Sequence, residues 1–178
     1  PIKMYTIEEF IENNLYHSLD NILPFNWNII KILNVKYLII PQKVEHAKLN
    51  LMHVDKQNNL YLYYYNEYMP RSFFVGAYQI IKDEYQRLQT INQVYFDPQN
   101  IAILEEDLNQ SISKPDSCYS NVTDFTLHKV NVDVFTDKTS LLVISELYYP
   151  PGWKIYIDNK EVDKVYKANH AIQAIVVP

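Results

Sequence analysis

Residues 141–162, LLVISELYYPPGWKIYIDNKEV, restrict what this chain can fold into more than any other stretch. Leu141, Val143, Ser145 and Leu147 alternate with Leu142, Ile144 and Glu146, so the spacing predicts a strand with at least one buried face. Tyr148, Tyr149, Pro150, Pro151 and Gly152 interrupt it, because proline cannot donate to a ladder and glycine admits unusual dihedrals. Trp153, Ile155 and Ile157 resume on one face, with Lys154, Tyr156 and Asp158 on the other. Asp158, Asn159 and Lys160 carry turn chemistry, and Glu161 and Val162 begin the return. The pattern is a β-meander with a rigid aromatic corner. It shapes a fold and shows no chemistry of its own.

A chain of 178 residues can bury a real core around such a meander, as one domain or at most two small ones. Its 21 acidic against 16 basic residues give a net charge of −5, and no Lys/Arg run offsets it, which argues against a nucleic-acid partner. Glycine is scarcer than in almost any globular chain: two residues, Gly76 and Gly152, where average usage of about 7% predicts roughly a dozen. Loops that cradle phosphates need glycine for close backbone approach, so nucleotide cofactors are not expected. The 16 tyrosines suit strands and amphipathic surfaces instead. Cys118 is alone, which excludes an intrachain disulfide and makes a thiolate metal cluster implausible. No apolar run approaches the ~18 residues that span a bilayer. The chain opens on Pro1 and closes on a strand-like AIVVP, so both ends read as cut from something longer.

Local patterns fill in the rest. Thr6 followed by Glu9 is a capping box, and Ile7, Phe10, Ile11, Asn14 and Leu15 keep helical spacing, predicting a helix near residues 6–18. Pro24 and the residues to Asn34 predict a second short helix, and residues 35–40 a buried strand. Residues 49–54 and 60–65 read as a hairpin, 72–78 as a strand, 83–90 as a helix and 101–104 as a short strand. Residues 105–120 turn polar and aperiodic, the composition of a linker or long surface loop. Strands follow at 122–127, 129–135, 141–147, 165–168 and 171–177. The expected fold class is α+β and β-dominant. Helices with a small mixed sheet (1–104) precede the 105–120 loop and an antiparallel β-sandwich-like part (121–178), with the two parts free to pack as one domain.

Sites of chemistry are hard to find. Glu105, Glu106 and Asp107 are the main carboxylate cluster, and a solvated loop explains them better than a glycosidase pair does. The five histidines have no metal-binding spacing, so no metal site is expected. Ser145 lacks a nucleophile elbow, and Cys118 lacks a basic neighbour. Tyr148, Tyr149 and Trp153 could stack on sugar rings, with Asn66, Arg71 and Asn169 as hydrogen-bonding candidates. The plainer reading makes Trp153 a core anchor and the tyrosines cover for a sheet end.

The closing segment LLVISELYYPPGWKIYIDNKEVDKVYKANHAIQAIVVP also resembles the end of the YfhO-like family of bacterial membrane proteins, which carry an SE-x-YYPGWK-x-Y-x-DG pattern, then AN and an apolar strand ending in VP. LNVKY at residues 33–37, NEYMPRSFFV at 66–75 and FDPQNIAILE at 96–105 resemble further family segments, in the same order. The chain departs in its doubled proline, Pro150 and Pro151, and in Asn159 where glycine is usual. The resemblance implies a multi-spanning protein with a C-type glycosyltransferase-like membrane region, acting on cell-envelope polymers from lipid-linked sugars. This chain would then be an extracytoplasmic domain without catalytic residues or cofactor, because the family's catalytic acids lie in loops of the membrane region. Its expected partners are the membrane region of its own parent chain and a glycan or lipid-linked sugar. Its expected work is to help assembly or to position the glycan or lipid-linked donor. The alternatives are a purely structural or assembly domain and a stand-alone carbohydrate-binding β-sandwich module of a secreted protein.

Overall fold

The structure, a computed structural model, describes residues 5–12, 14–20 and 22–178. Its main sheet has six strands, β4 (Ser72–Val75), β5 (Ala77–Ile80), β6 (Ile101–Leu104), β9 (Ser140–Leu147), β12 (Tyr166–Ala168) and β13 (Ile172–Val177), in the order β4-β9-β13-β12-β6-β5. All pairings are antiparallel except β5 with β6. The two edges, β4 and β5, are separated in sequence by Gly76 alone. Consecutive Cα atoms lie about 3.8 Å apart, so the end of one edge strand and the start of the other must meet at that residue. The sheet is therefore rolled onto itself around a strand bent at Gly76.

The single strand expected at 72–78 thus serves two edges. Gly76 has no left-handed torsion to explain it. A Cβ there would stand 2.9 Å from Cβ of Lys114, so the bend needs a residue without one. Left-handed torsions fall instead on Asn34, Asn59, Asp158, Asn159, Asn169 and His170. Asparagine and aspartate tolerate that region best after glycine, which is how a chain with two glycines still makes tight turns. Asp158 and Asn159 (φ 48° and 67°) form a two-residue hairpin turn between β10 (Tyr156–Ile157) and β11 (Lys160–Glu161).

Strand alternation gives the main sheet two faces. Val75, Leu141, Val143 and Ala174 join a core with Phe10 of α1 (Tyr5–Glu12), Ile29 and Ile32 of α2 (Trp27–Ile32), and Leu88 and Ile91 of α3 (Glu84–Ile91). Each fully buried Leu or Ile contributes about 1.5–3 kcal/mol of transfer free energy. Helix α2 is buried on nearly every side, because Trp27 and Ile30 enter a second core with Leu49, Tyr63 and Tyr65. That second core lies under a three-stranded sheet, β1 (Tyr37–Ile40), β2 (Leu49–Asp55) and β3 (Leu60–Tyr65), in the order β1-β3-β2.

A chain of buried asparagines ties the helices together. The Asn26 amide donates to Asn92 (2.7 Å), and the Asn92 amide donates to Asn14 (2.8 Å). Asn26 also caps α2 by accepting from the Asn28 and Ile29 N–H groups. Asn28 donates to the Ile91 and Gln93 carbonyls at the end of α3. Buried amides in such a chain satisfy one another, and losing one strands the next.

The α+β, β-dominant class read from the sequence holds. Several local expectations need correction. Helix α1 stops at Glu12 rather than 18, and the chain continues through a turn in which the His17 N–H donates to the Asn14 carbonyl. The capping box at Thr6 and Glu9 lies outside the described side chains. Strand β1 is an exposed edge rather than a buried strand, because only α2 and the second core cover one of its faces. Cys118 begins a strand, β7 (Cys118–Phe125), where a loop was expected. The 105–120 segment runs between strands of one sheet, since β4, β5 and β6 precede it and β9, β12 and β13 follow it. Leu108 and Ile112 pack on the main core along that path.

Candidate functional site

The second face of the rolled sheet presents Phe74 from β4, Leu142 and Ile144 from β9, and Ile175 and Val177 from β13. Two narrow hairpins cover it. One is β7 with β8 (Val130–Thr136), turning Val130, Val132 and Val134 toward the sheet; the other is β10 with β11, preceded by the aromatic corner. Between cover and sheet lies a cleft of about 900 Å³. Leu142, Ile144, Ile175 and Val177 form its floor, and Trp153, Ile155 and Ile157 one wall. Asn131, Asp133 and Asn159 are among its polar lining residues. A cleft of this size, with an apolar floor and polar groups over about half of its lining, has the dimensions of a small-ligand site.

The corner that holds Trp153 is built locally. The Gly152 and Trp153 N–H groups both donate to the Tyr149 carbonyl, at 2.9 and 3.1 Å. A Cβ on Gly152 would come within 2.5 Å of the Tyr149 ring, so the second glycine too is explained by close approach. Trp153 is left half-buried, its indole neither sealed in the core nor free in solvent. That differs from the core-anchor reading. Trp27 fits such a reading better, 3% exposed and stacked on Tyr65 at 5.2 Å.

The other candidate residues scatter. Tyr148 donates its N–H to the Ala171 carbonyl (2.8 Å), and Tyr149 packs against Gly152; both are half-buried and outside the cleft lining. Arg71 pairs with Glu146, which does line the cleft, and its guanidinium stacks 4.2 Å from the Phe125 ring. Asn66 sits on the distant three-stranded sheet, accepting from Asn50 and donating to the Ala47 carbonyl. Asn169 is fully buried: its side chain accepts from the Ile103 N–H (2.9 Å) and its own N–H donates to the Ile103 carbonyl (2.8 Å). It clamps the β12–β13 turn to β6 and faces no cleft. Trp153 and, through Glu146, Arg71 are the candidates that meet at one place. Residues of β8 and Gln173, which donates to the Leu147 carbonyl (2.9 Å), belong to that place without having been singled out in sequence. Their period-two spacing was visible, but nothing local said which strand they would face.

Two of the charged groups on the cleft lining are paired, whereas Lys129, Asp133 and Asp158 have no ion-pair partner among the described residues. Lys154 pairs with Glu161 at 3.0 Å, and the hydrogen bond it donates to that carboxylate raises the lysine above its ordinary range. Glu146 is taken by Arg71. Among the described residues, no group of three or more His, Cys, Asp or Glu is placed to hold a metal ion.

A second cluster has the residue types of a hydrolase but not the wiring. Asp20 accepts from the Ile22 and Leu23 N–H groups, from the Trp27 indole and from His46. Burial works against its ionisation, but the bonds from Leu23, Trp27 and Ile22 outweigh it and lower the carboxyl pKa to about 2. The other nitrogen of His46 accepts from the Lys48 N–H (3.1 Å), so the ring has no site left for a nucleophile. Ser18 spends its hydroxyl on the Asp20 and Leu23 carbonyls. The cluster fastens the 18–27 loop to the second core.

These features define an α+β domain with a ligand-sized cleft on the outer face of a rolled sheet. No family model matches the chain, and neither a curated protein nor a solved structure matches it. The likeness to YfhO-like proteins therefore rests on its sequence motifs.

Proposed function

We propose that this chain is an extracytoplasmic domain of a multi-spanning, YfhO-like membrane protein, and that it holds a glycan or the sugar of a lipid-linked donor while the membrane region of its parent chain carries out transfer. The observation behind this reading is the cleft itself, an apolar floor with the half-buried Trp153 in its wall and asparagine and aspartate in its lining. Sugar rings stack their C–H faces on indole and direct their hydroxyls to polar edges, which is the chemistry such a cleft offers. Of the ionic groups at the cleft, Lys154 and Glu146 are engaged with Glu161 and Arg71, which leaves Lys129, Asp133 and Asp158 to meet the hydroxyls of a ligand.

The test is a glycan array probed with the intact domain, then calorimetric titration of each hit against the parent domain and Trp153→Ala. The reading expects binding that weakens by about tenfold or more, ~1.4 kcal/mol, when the indole is removed. An array without hits, or hits indifferent to Trp153, counts against it.

A further inference from the structure

The three-stranded sheet is covered on one side only. Its inner face supplies Tyr63 and Tyr65 to the second core, while the alternate residues Leu60, Leu62 and Tyr64 of β3 face away from it. Beside them on β1, Tyr37 is 51% and Ile39 67% exposed, in register with Tyr64 and Leu62. On the other flank, His53 of β2 stands in register with Leu62. The fold does not need these side chains for its own packing. Contiguous apolar surface of this kind, built on regular strands, marks a contact with something else.

The polar part of the face narrows what that is. The Lys36 ammonium lies 5.0 Å from the Tyr68 ring centre, 5.7 Å from Tyr37 and 6.0 Å from Tyr64, and has no carboxylate partner among the described residues. Tyrosine hydroxyls and a lysine stem around exposed aliphatics form an amphipathic set suited to a boundary that is apolar on one side and wet on the other. Of the lysines around this sheet, Lys31 and Lys48 are paired with Glu67 and Lys43 with Glu45, which leaves Lys36 and, in the β2–β3 turn, Lys56 without a carboxylate among the described residues. These two are the cations the face can offer an anionic partner.

We propose that the outer face of the β1-β3-β2 sheet docks on an anionic phospholipid bilayer, with Tyr37 and Ile39 entering the headgroup layer and Lys36 meeting lipid phosphate. The apolar residues supply adhesion, and the lysines supply a preference for negative headgroups. The proposal does not depend on what the cleft holds, because the cleft lies on the other sheet.

Vesicle flotation of the intact chain tests it, with phosphatidylcholine vesicles alone and with phosphatidylglycerol added. The chain should float with the anionic vesicles, less so as salt rises, and little with the neutral ones. The double variant Tyr37→Glu, Ile39→Glu should bind at least about tenfold more weakly. Lys36→Gln should bind more weakly while keeping the apolar contact. These side chains are exposed, so far-ultraviolet dichroism should match the parent in every variant. Absence of flotation, equal binding to neutral vesicles, variants that float like the parent, or self-association through this face in place of lipid binding would each overturn the proposal.

Discussion

The same strands build both faces of the rolled sheet, yet the two faces end up differently filled. Leu141, Val143 and Ala174 point one way and meet three helices, whose apolar residues close the space completely. Leu142, Ile144 and Ile175 point the other way and meet two hairpins, one of them with strands of only two residues. A helix brings an apolar stripe broad enough to seal a sheet, whereas a two-stranded ribbon covers a narrow band and twists away from it. The cleft beside Trp153 is what that mismatch leaves. Stability therefore resides on the helical side, and the opposite side can change with little cost to the fold.

The sharpest test of that contrast is a matched pair of truncations. Leu104→Ala, fully buried in the helix-covered core, should cost about 3 kcal/mol in urea unfolding. Val134→Ala, in the half-covered hairpin, should cost about 1 kcal/mol or less. Comparable losses would mean that the hairpin face is as tightly packed as the helical one.

Acid should act on the helical side next. His170 is fully buried, stacked on Phe10 at 5.5 Å, with Lys167, Arg87 and Glu84 around it. Burial first, then the charges of Lys167 and Arg87, lower it to about 4. The native state keeps the ring neutral, while the unfolded chain binds a proton below its ordinary value of about 6.5. Stability is thus complete above that value and is lost as pH falls toward about 4, by on the order of 2–3 kcal/mol. Urea midpoints across that range should show the decline, and His170→Asn, which tolerates the left-handed torsion (φ 73°), should flatten it.

Smaller effects follow. Asn92→Ala removes the middle of the buried amide chain, leaves the Asn26 and Asn14 side chains each short of a partner, and should cost about 1–3 kcal/mol in the same unfolding assay. Trp153→Phe should change stability by under about 1 kcal/mol, because the indole is only half-buried. A larger loss there would make Trp153 part of the core after all.

The sequence carried the local elements well and their partners poorly. Alternation located β3, β9 and β13, and the proline corner was legible residue by residue. Nothing local disclosed that one strand bent at Gly76 supplies both edges of the main sheet, because the need for glycine there comes from Lys114, far along the chain. Strands on either side of residues 105–120 pair in that sheet, a matter of long-range register that composition does not encode. Asn169 looked like a hydrogen-bonding site residue; here it is buried, and its side-chain oxygen accepts from the Ile103 backbone rather than from a ligand. Trp153 was singled out from its neighbours, but the cleft beside it depends on β8, whose valines alternate like those of any strand.

The central claim is that Trp153 lines an open, ligand-holding cleft while Trp27 is sealed in a core. Fluorine NMR of the chain labelled with 5-fluorotryptophan reads both positions at once, since these are its two tryptophans. Titration with an N-acetylglucosamine oligosaccharide and with a soluble paramagnet should shift or broaden the Trp153 resonance and leave that of Trp27 unchanged. Two resonances that respond alike, or a Trp153 signal inert to both, would contradict the account.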